Sequence, residues 1–333
     1  MLRWQRNGVN GQSAALRIIA VRGLPERVAS TEFSTMTLPR IALVPRLLPS
    51  PLPAIHPVPE YLASGALAQR YEETKRVLDV PWMGVVTMAM AHYPDFFEAL
   101  WHGARPLADS TAFGEACRQL RRTTEREVLR LAPEPIGAGL ERLGYGAPEL
   151  DRIRDAIEVF SHGNYPYLLL ATVARLLLEG HEMQCREPAR AREPRPVVPK
   201  ATLVLMEPHH ADAPTRALYE ELKAVLGLPF VNTDYRALAR WPSYFALAWS
   251  GLRPAIDTES YRSICSAIHA DAVAFVLEAL PNPGRLSAAT LRAAAARDDA
   301  GVDEILNVCR LFQWLLPGLV TNVAYFRKQL APG

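Results

Sequence analysis

Apolar side chains recur along this chain with the period of an α-helix. Two sets each fit one helical face: Leu120, Val128, Leu129 and Leu131, and Ile153, Ile157, Val159 and Phe160. Residues 167–180 are apolar on nearly every side, which predicts a buried central helix. No segment alternates with the period of two that marks a half-exposed strand. The pattern therefore predicts an all-α protein.

Helix boundaries carry fewer signals. The strings APEL at 147–150 and LSAAT at 286–290 are typical of helix starts. The chain contains 28 prolines. We expect these prolines to mark helix starts and stops, because proline has no backbone N–H to donate inside a helix.

An internal repeat organises the chain. Residues 71–110 align with residues 219–258 at a constant offset of 148 and without a gap, and sixteen positions are identical. Near the ends of the copies the match resumes with an offset of 152: Asp151/Asp303, Ile153/Ile305 and Phe160/Phe312. Self-similarity over this length predicts two tandem helical repeats that form a pseudo-dimer with a cleft between them.

The repeat divides the chain into four parts. Residues 1–50 form an arginine-rich N-terminal extension without a clear period, which we expect to be flexible. The first helical repeat spans residues 55–185, and the second spans residues 212–332. Residues 186–211 lie between them and are rich in proline and arginine, which is typical of an extended linker.

Composition narrows the class of protein. The 37 Lys and Arg residues nearly balance the 35 Asp and Glu residues, so charge does not favour nucleic acid or an acidic membrane as a partner. No apolar run reaches the length of a membrane span. The four cysteines show neither a Cys-x-x-Cys pair nor a zinc-site spacing: Cys117, Cys185, Cys265 and Cys309. This usage favours reduced cysteines and a cytoplasmic protein.

The two copies differ in polarity at two aligned sites. Val86 of the first copy aligns with Asp234 of the second, and Asn164 of the first copy matches Leu316 or its neighbour. One copy thus contributes a carboxylate and the other an amide, each where its counterpart is apolar. A cleft between two lobes would allow such a pair to meet.

Both polar sites also have a structural explanation. Asn232, Thr233 and Asp234 precede an amphipathic run, which is the pattern of an N-cap with an acidic first turn. Asn164 follows Gly163 and lies two residues before a proline, so a turn or a cap would also account for it. The residues alone leave both explanations open.

Three segments resemble the group I 2-haloacid dehalogenases: VPW at 80–82, FSHGNYPYLLL at 160–170 and NTDYRALARWP at 232–242. The resemblance covers roughly residues 60–330 and leaves out the N-terminal extension. It implies an all-α fold with two repeats and an active site between them. It is more specific to the family than to the activity, because a paralogue can keep a fold and change its substrate.

The resemblance also implies roles for individual residues. Asp234 corresponds to the aspartate that activates the attacking water, and Asn164 corresponds to the asparagine that helps hold that water. The residues implied at the substrate are Trp82, Val85, Thr233, Tyr165 and Phe312.

Three of these positions depart from the family pattern. Val85 stands where a phenylalanine is expected in the pocket wall, and Phe312 stands where a tyrosine is expected. Tyr165 separates Asn164 from its proline, whereas the family has Gly-Asn-Pro. These changes affect the size and shape of the expected substrate more than the chemistry.

The implied reaction is the hydrolysis of a 2-haloalkanoate to a 2-hydroxyalkanoate. Water attacks C2 directly, the configuration inverts, and no ester with the enzyme forms. The resemblance implies no metal and no organic cofactor. It implies a small 2-haloalkanoate as the only partner, with neither nucleic acid nor membrane, and it leaves a homodimer open.

Two other functions compete with this one. A helical thiol peroxidase would need a reactive cysteine pair, which the sequence lacks. A helical binding protein that kept the fold without the activity is the second alternative. The altered positions Val85 and Tyr165 are its best support.

Overall fold

The computed structural model describes residues 44–192 and 203–331. Within these ranges the chain forms twelve α-helices. In chain order they are α1 (Gly65–Leu78), α2 (Val85–Met90), α3 (Pro94–Ala108), α4 (Thr111–Glu127), α5 (Gly137–Arg142), α6 (Ala147–Leu178), α7 (Ala213–Leu226), α8 (Thr233–Leu238), α9 (Pro242–Ile256), α10 (Glu259–Ala274), α11 (Ala288–Ala295) and α12 (Gly301–Gln329).

The prediction of an all-α protein is confirmed for the described residues. They contain no strand, and an isolated bridge joins Ser110 to Ala191. Helices α1–α6, which we call the first half, contain 14, 6, 15, 17, 6 and 32 residues. Helices α7–α12, the second half, contain 14, 6, 15, 16, 8 and 29 residues.

The two longest helices form the centre of the core. Helix α6 packs against α12 more extensively than any other pair of helices. Every residue from Gly163 to Leu178 is buried, which confirms the predicted central helix. The apolar character on all sides follows from this position, because α6 has neighbours around its whole circumference.

One of the two predicted apolar faces differs from the expectation. Ile153, Ile157 and Phe160 are buried along α6, as predicted. Leu129, however, is 56% exposed. Helix α4 ends at Glu127, and Val128–Leu131 form a 3-10 helix. The tighter winding of a 3-10 helix turns its residues away from the face that an α-helix would present.

Only part of the proline prediction is correct. Four prolines lie in the first turn of a helix: Pro94, Pro148, Pro214 and Pro242. Four others lie inside helices: Pro106, Pro166, Pro254 and Pro317. Packing offsets the lost hydrogen bond at the buried Pro166 and Pro317, whereas Pro106 is half-buried and Pro254 is exposed. The two predicted helix starts are confirmed, since α6 begins at Ala147 and α11 begins at Ala288.

The predicted flexible extension, residues 1–50, lies outside the described residues except for its last seven. These seven do not behave as a loose tail. The Val44 carbonyl accepts a hydrogen bond from His269 Nε2 at 2.8 Å, and the Pro45 carbonyl accepts one from Arg175 at 3.1 Å. Residues 44–46 are therefore attached to the helical body, whereas Leu47 is 63% exposed.

The predicted linker, residues 186–211, is described at both ends, while residues 193–202 lie outside the described residues. Neither described end is helical. On one side, the Arg190 carbonyl accepts a hydrogen bond from Thr111 N, and Arg192 N donates to the Asp109 carbonyl, each at 2.9 Å. The first end of the linker is thus attached to the start of α4.

Candidate active site

Two six-residue helices, α2 and α8, each pack against the long helix of the other half. Helix α2 contacts α12, and helix α8 contacts α6. This crossed packing brings the first residues of α8 beside the middle of α6.

Asp234 and Asn164 meet at this crossing. Asp234 is the second residue of α8, and Asn164 lies in the interior of α6. Asn164 Nδ2 donates a hydrogen bond of 2.6 Å to Asp234 Oδ1. Both residues are 3% exposed. The two polar sites that distinguish the copies of the repeat are therefore a single buried pair.

Burial dominates the electrostatics of Asp234. It raises the pKa of the carboxyl from the ordinary value of 3.8 to about 6, against the opposing effects of the Asn164 hydrogen bond and the Arg236 charge. A carboxyl with this pKa is mainly ionised at neutral pH. A carboxylate with these properties suits proton transfer as a general base.

The geometry bears on both structural explanations. Asn232 occupies the cap position of α8, but its side chain makes no capping hydrogen bond. Asp234 accepts a hydrogen bond from Asn164 of α6, and its carboxylate also interacts with its own backbone N–H in the first turn of α8. Asn164 lies inside a continuous helix of 32 residues, so it is neither a turn nor a cap residue.

Trp82 packs directly against the turn of α6 that carries Asn164. Its ring lies 5.0 Å from the ring of Phe160 and 5.8 Å from that of Tyr167. A Cβ atom on Gly163 would overlap the Trp82 ring. Glycine at this position therefore permits the indole to approach the residue beside Asn164, at a cost in helix propensity.

Val85 lines a cavity of about 400 Å³ at the boundary of the two halves. Ile55 and Val85 line it from the first part of the chain, and Phe230, Val231 and Arg236 line it from the second. Charged residues surround it as well. Lys223 pairs with Glu220 at 2.7 Å, and Arg236 pairs with Glu207 at 2.6 Å.

Thr233 and Phe312 lie near this cavity without lining it. Thr233, the first residue of α8, is buried, and its hydroxyl accepts a hydrogen bond of 3.3 Å from Arg236. The ring of Phe312 lies 6.2 Å from that of Phe230. Phe312 thus supports the cavity wall from behind.

Tyr165 lies elsewhere. Burial raises the pKa of its phenol. The other groups that affect this pKa belong to α4, and the largest of their effects is a hydrogen bond with Thr124, which lowers it. Because neighbouring helical residues point in directions about 100° apart, Tyr165 and Asn164 face different neighbours. Its contacts give no support to the expected place at the substrate, so Tyr165 is left out of the proposed site.

Comparison with known proteins identifies the family. A search against models of protein families finds no match. An (R)-2-haloacid dehalogenase of Rhizobium sp. (strain NHG3) is 51% identical over 244 residues, which are 73% of this chain and 95% of that protein. The chain belongs to the 2-haloacid dehalogenases.

Other 2-haloacid dehalogenases are also similar to this chain over most of its length. An (R)-2-haloacid dehalogenase of Pseudomonas putida is 38% identical over 83% of this chain and 92% of that protein. A solved structure of a D-2-haloacid dehalogenase in complex with L-LA has 35% identity and a TM-score of 0.79, and covers 86% of this chain and 100% of that chain. The all-helical architecture is thus that of the family.

Two residues beside the candidate site were not predicted from the sequence. Gly163 admits the Trp82 ring, and the Tyr167 hydroxyl donates a hydrogen bond of 2.7 Å to the Trp82 carbonyl. Gly163 interrupts an otherwise continuous helical pattern, and such a glycine often marks a place where another residue packs closely against the helix backbone. Tyr167 gives no such signal, because a tyrosine in an apolar run is typical of a core residue.

Two further features concern metal binding and membrane crossing. The described residues contain no cluster of three or more His, Cys, Asp or Glu side chains arranged to hold a metal ion. Over the same ranges, no helix is both long and apolar enough to cross a membrane.

Proposed function

We propose that this protein hydrolyses 2-haloalkanoates to 2-hydroxyalkanoates by direct attack of water, with inversion at C2. The observation that carries the proposal is the buried hydrogen bond between Asn164 and Asp234, together with the pKa of about 6 for the Asp234 carboxyl. Its relatives are named (R)-2-haloacid dehalogenases and configuration-inverting 2-haloacid dehalogenases. We extend the (R) preference to this chain.

In the proposed reaction Asp234 is the general base. The water oxygen forms a bond to C2 while the carbon–halogen bond breaks and the halide leaves with the bonding electrons. One proton of the water passes to Asp234 as attack proceeds. No bond forms between Asp234 and the substrate, so water supplies the oxygen of the product hydroxyl.

Asn164 is the proposed positioning group for the water. An amide can accept one hydrogen bond through its oxygen and donate through its nitrogen. Because Nδ2 donates to Asp234, the amide oxygen of Asn164 is available to accept a hydrogen bond from the same water. Two fixed partners would orient the water for in-line attack, which lowers the entropic part of the barrier.

The remaining implied residues form the proposed pocket. Trp82 and Thr233 offer an aromatic and a hydroxyl group to the departing halide, which is large and weakly hydrated. Val85 forms the wall at the alkyl side, and Phe312 supports that wall through Phe230. The cavity lined by Val85 is the proposed approach path. Its wall carries three cations, Arg216, Lys223 and Arg236, against the carboxylates of Glu207 and Glu220, and the excess positive charge would attract an anionic substrate.

We further propose that the two halves are tandem repeats related by a pseudo-twofold axis, with the active site between them. Hydrogen bonds that recur at the offset of 148 support this arrangement: Val58 N to Met88 O and Met206 N to Arg236 O; Tyr71 to Val58 O and Tyr219 to Met206 O; Trp101 to Glu73 and Trp249 to Glu221. The crossed packing of α2 on α12 and of α8 on α6 supports it as well.

A cytoplasmic location and a homodimer complete the proposal. The location rests on four cysteines that form no disulfide. The homodimer stays a prediction, which light scattering on the purified protein tests directly.

A halide-release assay with the separate enantiomers of 2-chloropropionate tests the function. We expect chloride release from the (R) enantiomer and recovery of (S)-lactate as the product. Retained configuration would contradict direct attack. Absence of halide release from every 2-halo acid of two to five carbons would favour a binding protein that kept the fold.

A further inference from the structure

A second cavity, of about 270 Å³, lies within the second half of the protein. We call it the second-half cavity. Helices α8, α10 and α12 contribute to its wall, and the residues that matter here are Arg46, Asn232, Tyr235, Tyr261, Gly318 and Asn322. It lies apart from the residues proposed for catalysis, since neither Asp234 nor Asn164 lines it.

The matching region of the first half is filled. Gly84, which aligns with Asn232, faces the ring of Tyr167, and a Cβ atom there would lie 2.9 Å from that ring. The Tyr167 hydroxyl is bonded to the Trp82 carbonyl. At the offset of 152 that aligns Phe160 with Phe312, the position of Tyr167 falls on Leu319. The second half thus lacks the ring that fills the first.

Arg46 brings an uncompensated positive charge to this cavity. Its Nε donates to the Trp314 carbonyl at 2.9 Å, and its guanidinium lies 5.2 Å from the centre of the Trp314 ring. Among the described residues it has no carboxylate partner. The other arginine of the cavity, Arg262, is paired with Glu259 at 3.1 Å. The carboxylate among the lining residues, Asp257, is paired with Arg253 at 2.7 Å, so the charge of Arg46 favours a negatively charged occupant.

Buried groups fix the segment that carries Arg46. His269 and Arg175, both buried, donate hydrogen bonds to the carbonyls of Val44 and Pro45. Arg175 is itself bonded to Gln313 of α12 at 2.7 Å. The guanidinium is therefore presented from a fixed backbone, as a preformed binding site requires.

The cavity also holds polar groups with unused hydrogen-bonding capacity. Asn232 is 6% exposed, its side chain caps nothing, and its Oδ1 has no partner. Tyr261 donates to Asn322 Oδ1 at 2.8 Å, and Asn322 Nδ2 donates to the Tyr235 oxygen at 2.8 Å. The Tyr235 hydroxyl hydrogen then remains to be donated. Buried polar groups without partners are costly unless a ligand satisfies them.

We propose that the second-half cavity binds the carboxylate group of a small organic acid. Arg46 supplies the charge, and the Asn232 amide and the Tyr235 hydroxyl supply further hydrogen bonds. The apolar residues Leu228 and Leu319 accommodate the alkyl part. Because Asn232 and Tyr235 lie on either side of Asp234 in the chain, the occupant contacts the same helix start that carries the proposed base.

Binding of butanoate to the full chain tests this site without turnover. The readout is the emission of Trp314, measured as the difference between the wild type and a Trp314→Phe variant. We expect Arg46→Gln to weaken the binding reported by Trp314 by about tenfold or more, since a charged hydrogen bond is lost. Arg262→Gln is the matched control, and it should change the affinity by less than about twofold, because Arg262 is an exposed, paired arginine.

Asn232→Leu provides a second variant in case Arg46→Gln unfolds. The side chains are similar in volume, and Asn232 makes no hydrogen bond that the change would remove. It should weaken butanoate binding while the melting temperature stays at or above that of the wild type. Wild-type affinity in both Arg46→Gln and Asn232→Leu would overturn the proposal. So would a Trp314 response that disappears in Asn164→Ala, because the signal would then arise from the active site.

A comparison of ligands separates two sources of the carboxylate. Tighter binding of (S)-2-hydroxybutanoate than of butanoate would assign the site to the product of the proposed reaction. Equal binding would assign it to monocarboxylates in general, and either ranking supports the carboxylate site. Because these titrations need no turnover, an enzyme that releases no halide would leave their result intact.

Discussion

Helices α2 and α8 are the same length and occupy equivalent positions, yet they differ in chemistry. Each has six residues, and each contacts the long helix of the other half. Helix α2 begins with Val85 and Val86, whereas α8 begins with Thr233 and Asp234. The packing of a short helix at this crossing therefore does not require a carboxylate. Its presence in only one half indicates a chemical task rather than a structural one.

The sharpest test of this difference is Asp234→Asn. We expect halide release to fall by about a hundredfold or more, because the general base is lost. The fold should persist, since asparagine has nearly the same shape. Chloride release and circular dichroism on the same sample provide the measurement. Asp212→Asn is the matched control, because Asp212 caps α7 through Thr215 and asparagine is an equally good cap. A variant that keeps more than about a tenth of the activity would exclude Asp234 as the base.

The reciprocal change, Val86→Asp, places a carboxylate in the half that lacks one. Val86 is 4% exposed, and Leu316, the residue of α12 that matches Asn164, is apolar and 3% exposed. A buried charge without a partner should lower the free energy of unfolding by about 3 kcal/mol. Urea unfolding measures the change, with Val85→Thr, at a half-buried position, as the control. Undiminished stability would show that α2 tolerates a carboxylate as readily as α8 does.

Asn164→Ala tests the other member of the pair. If the amide orients water, kcat should fall by about tenfold or more while KM changes little, because the lost contact acts in the transition state. Asn307→Ala, on α12, is the control for loss of an amide. A rise in KM at constant kcat would instead assign Asn164 to substrate binding.

The raised pKa of Asp234 predicts opposite trends in activity and stability with pH. The folded-state pKa of about 6 lies above the ordinary 3.8, so the folded protein holds the proton more tightly than the unfolded chain does. This contribution to stability is complete below about pH 4 and is lost as pH rises to about 6. Over the same interval kcat/KM should rise towards a plateau, because the base becomes ionised. The Asp234→Asn variant lacks this titrating group, so its free energy of unfolding should fall less than that of the wild type between about pH 4 and pH 6.

Much of the fold was predictable from the sequence, and the reasons are local. The central helix follows from its apolar pattern, the start at Ala147 from the proline in its first turn, and the start at Ala288 from the Ser287 cap. Leu129 was predicted wrongly because a 3-10 helix at Val128–Leu131 has no distinct apolar signature. The internal proline Pro166 is tolerated within a buried helix, and no local window of sequence contains that burial.

Comparison of the two copies singled out the buried Asn164–Asp234 pair, while its role in catalysis stays a prediction. Asp234 and Asn164 stand out because each replaces an apolar counterpart. Gly163, Tyr167 and Arg46 do not stand out, since their importance depends on which distant residues they contact. The crossing of α8 over α6 joins residues 70 positions apart, and periodicity alone contains no information about such a contact.

The smallest expected effect concerns Val85, the residue of α2 that lines the cavity of about 400 Å³. The family resemblance implies a phenylalanine at this position. Replacement of phenylalanine by valine removes several carbon atoms, and a wall that does not collapse leaves additional room. A longer alkyl chain would fill that room, with a gain of about 0.8 kcal/mol for each buried methylene. Two methylenes would then change the specificity constant by about tenfold.

We therefore expect Val85→Phe to shift the preference from 2-chloropentanoate towards 2-chloropropionate. The measurement is the ratio of kcat/KM for these two acids, in the wild type and in the variant. Val231→Phe is the matched control, because Val231 lines the same cavity from the second half. If that control shifts the ratio as much as Val85→Phe does, the cavity as a whole, rather than Val85 alone, determines the preferred chain length of the substrate. An unchanged ratio in both variants would mean that the substrate reaches Asp234 by a path other than this cavity, and the proposed pocket would need to be placed elsewhere.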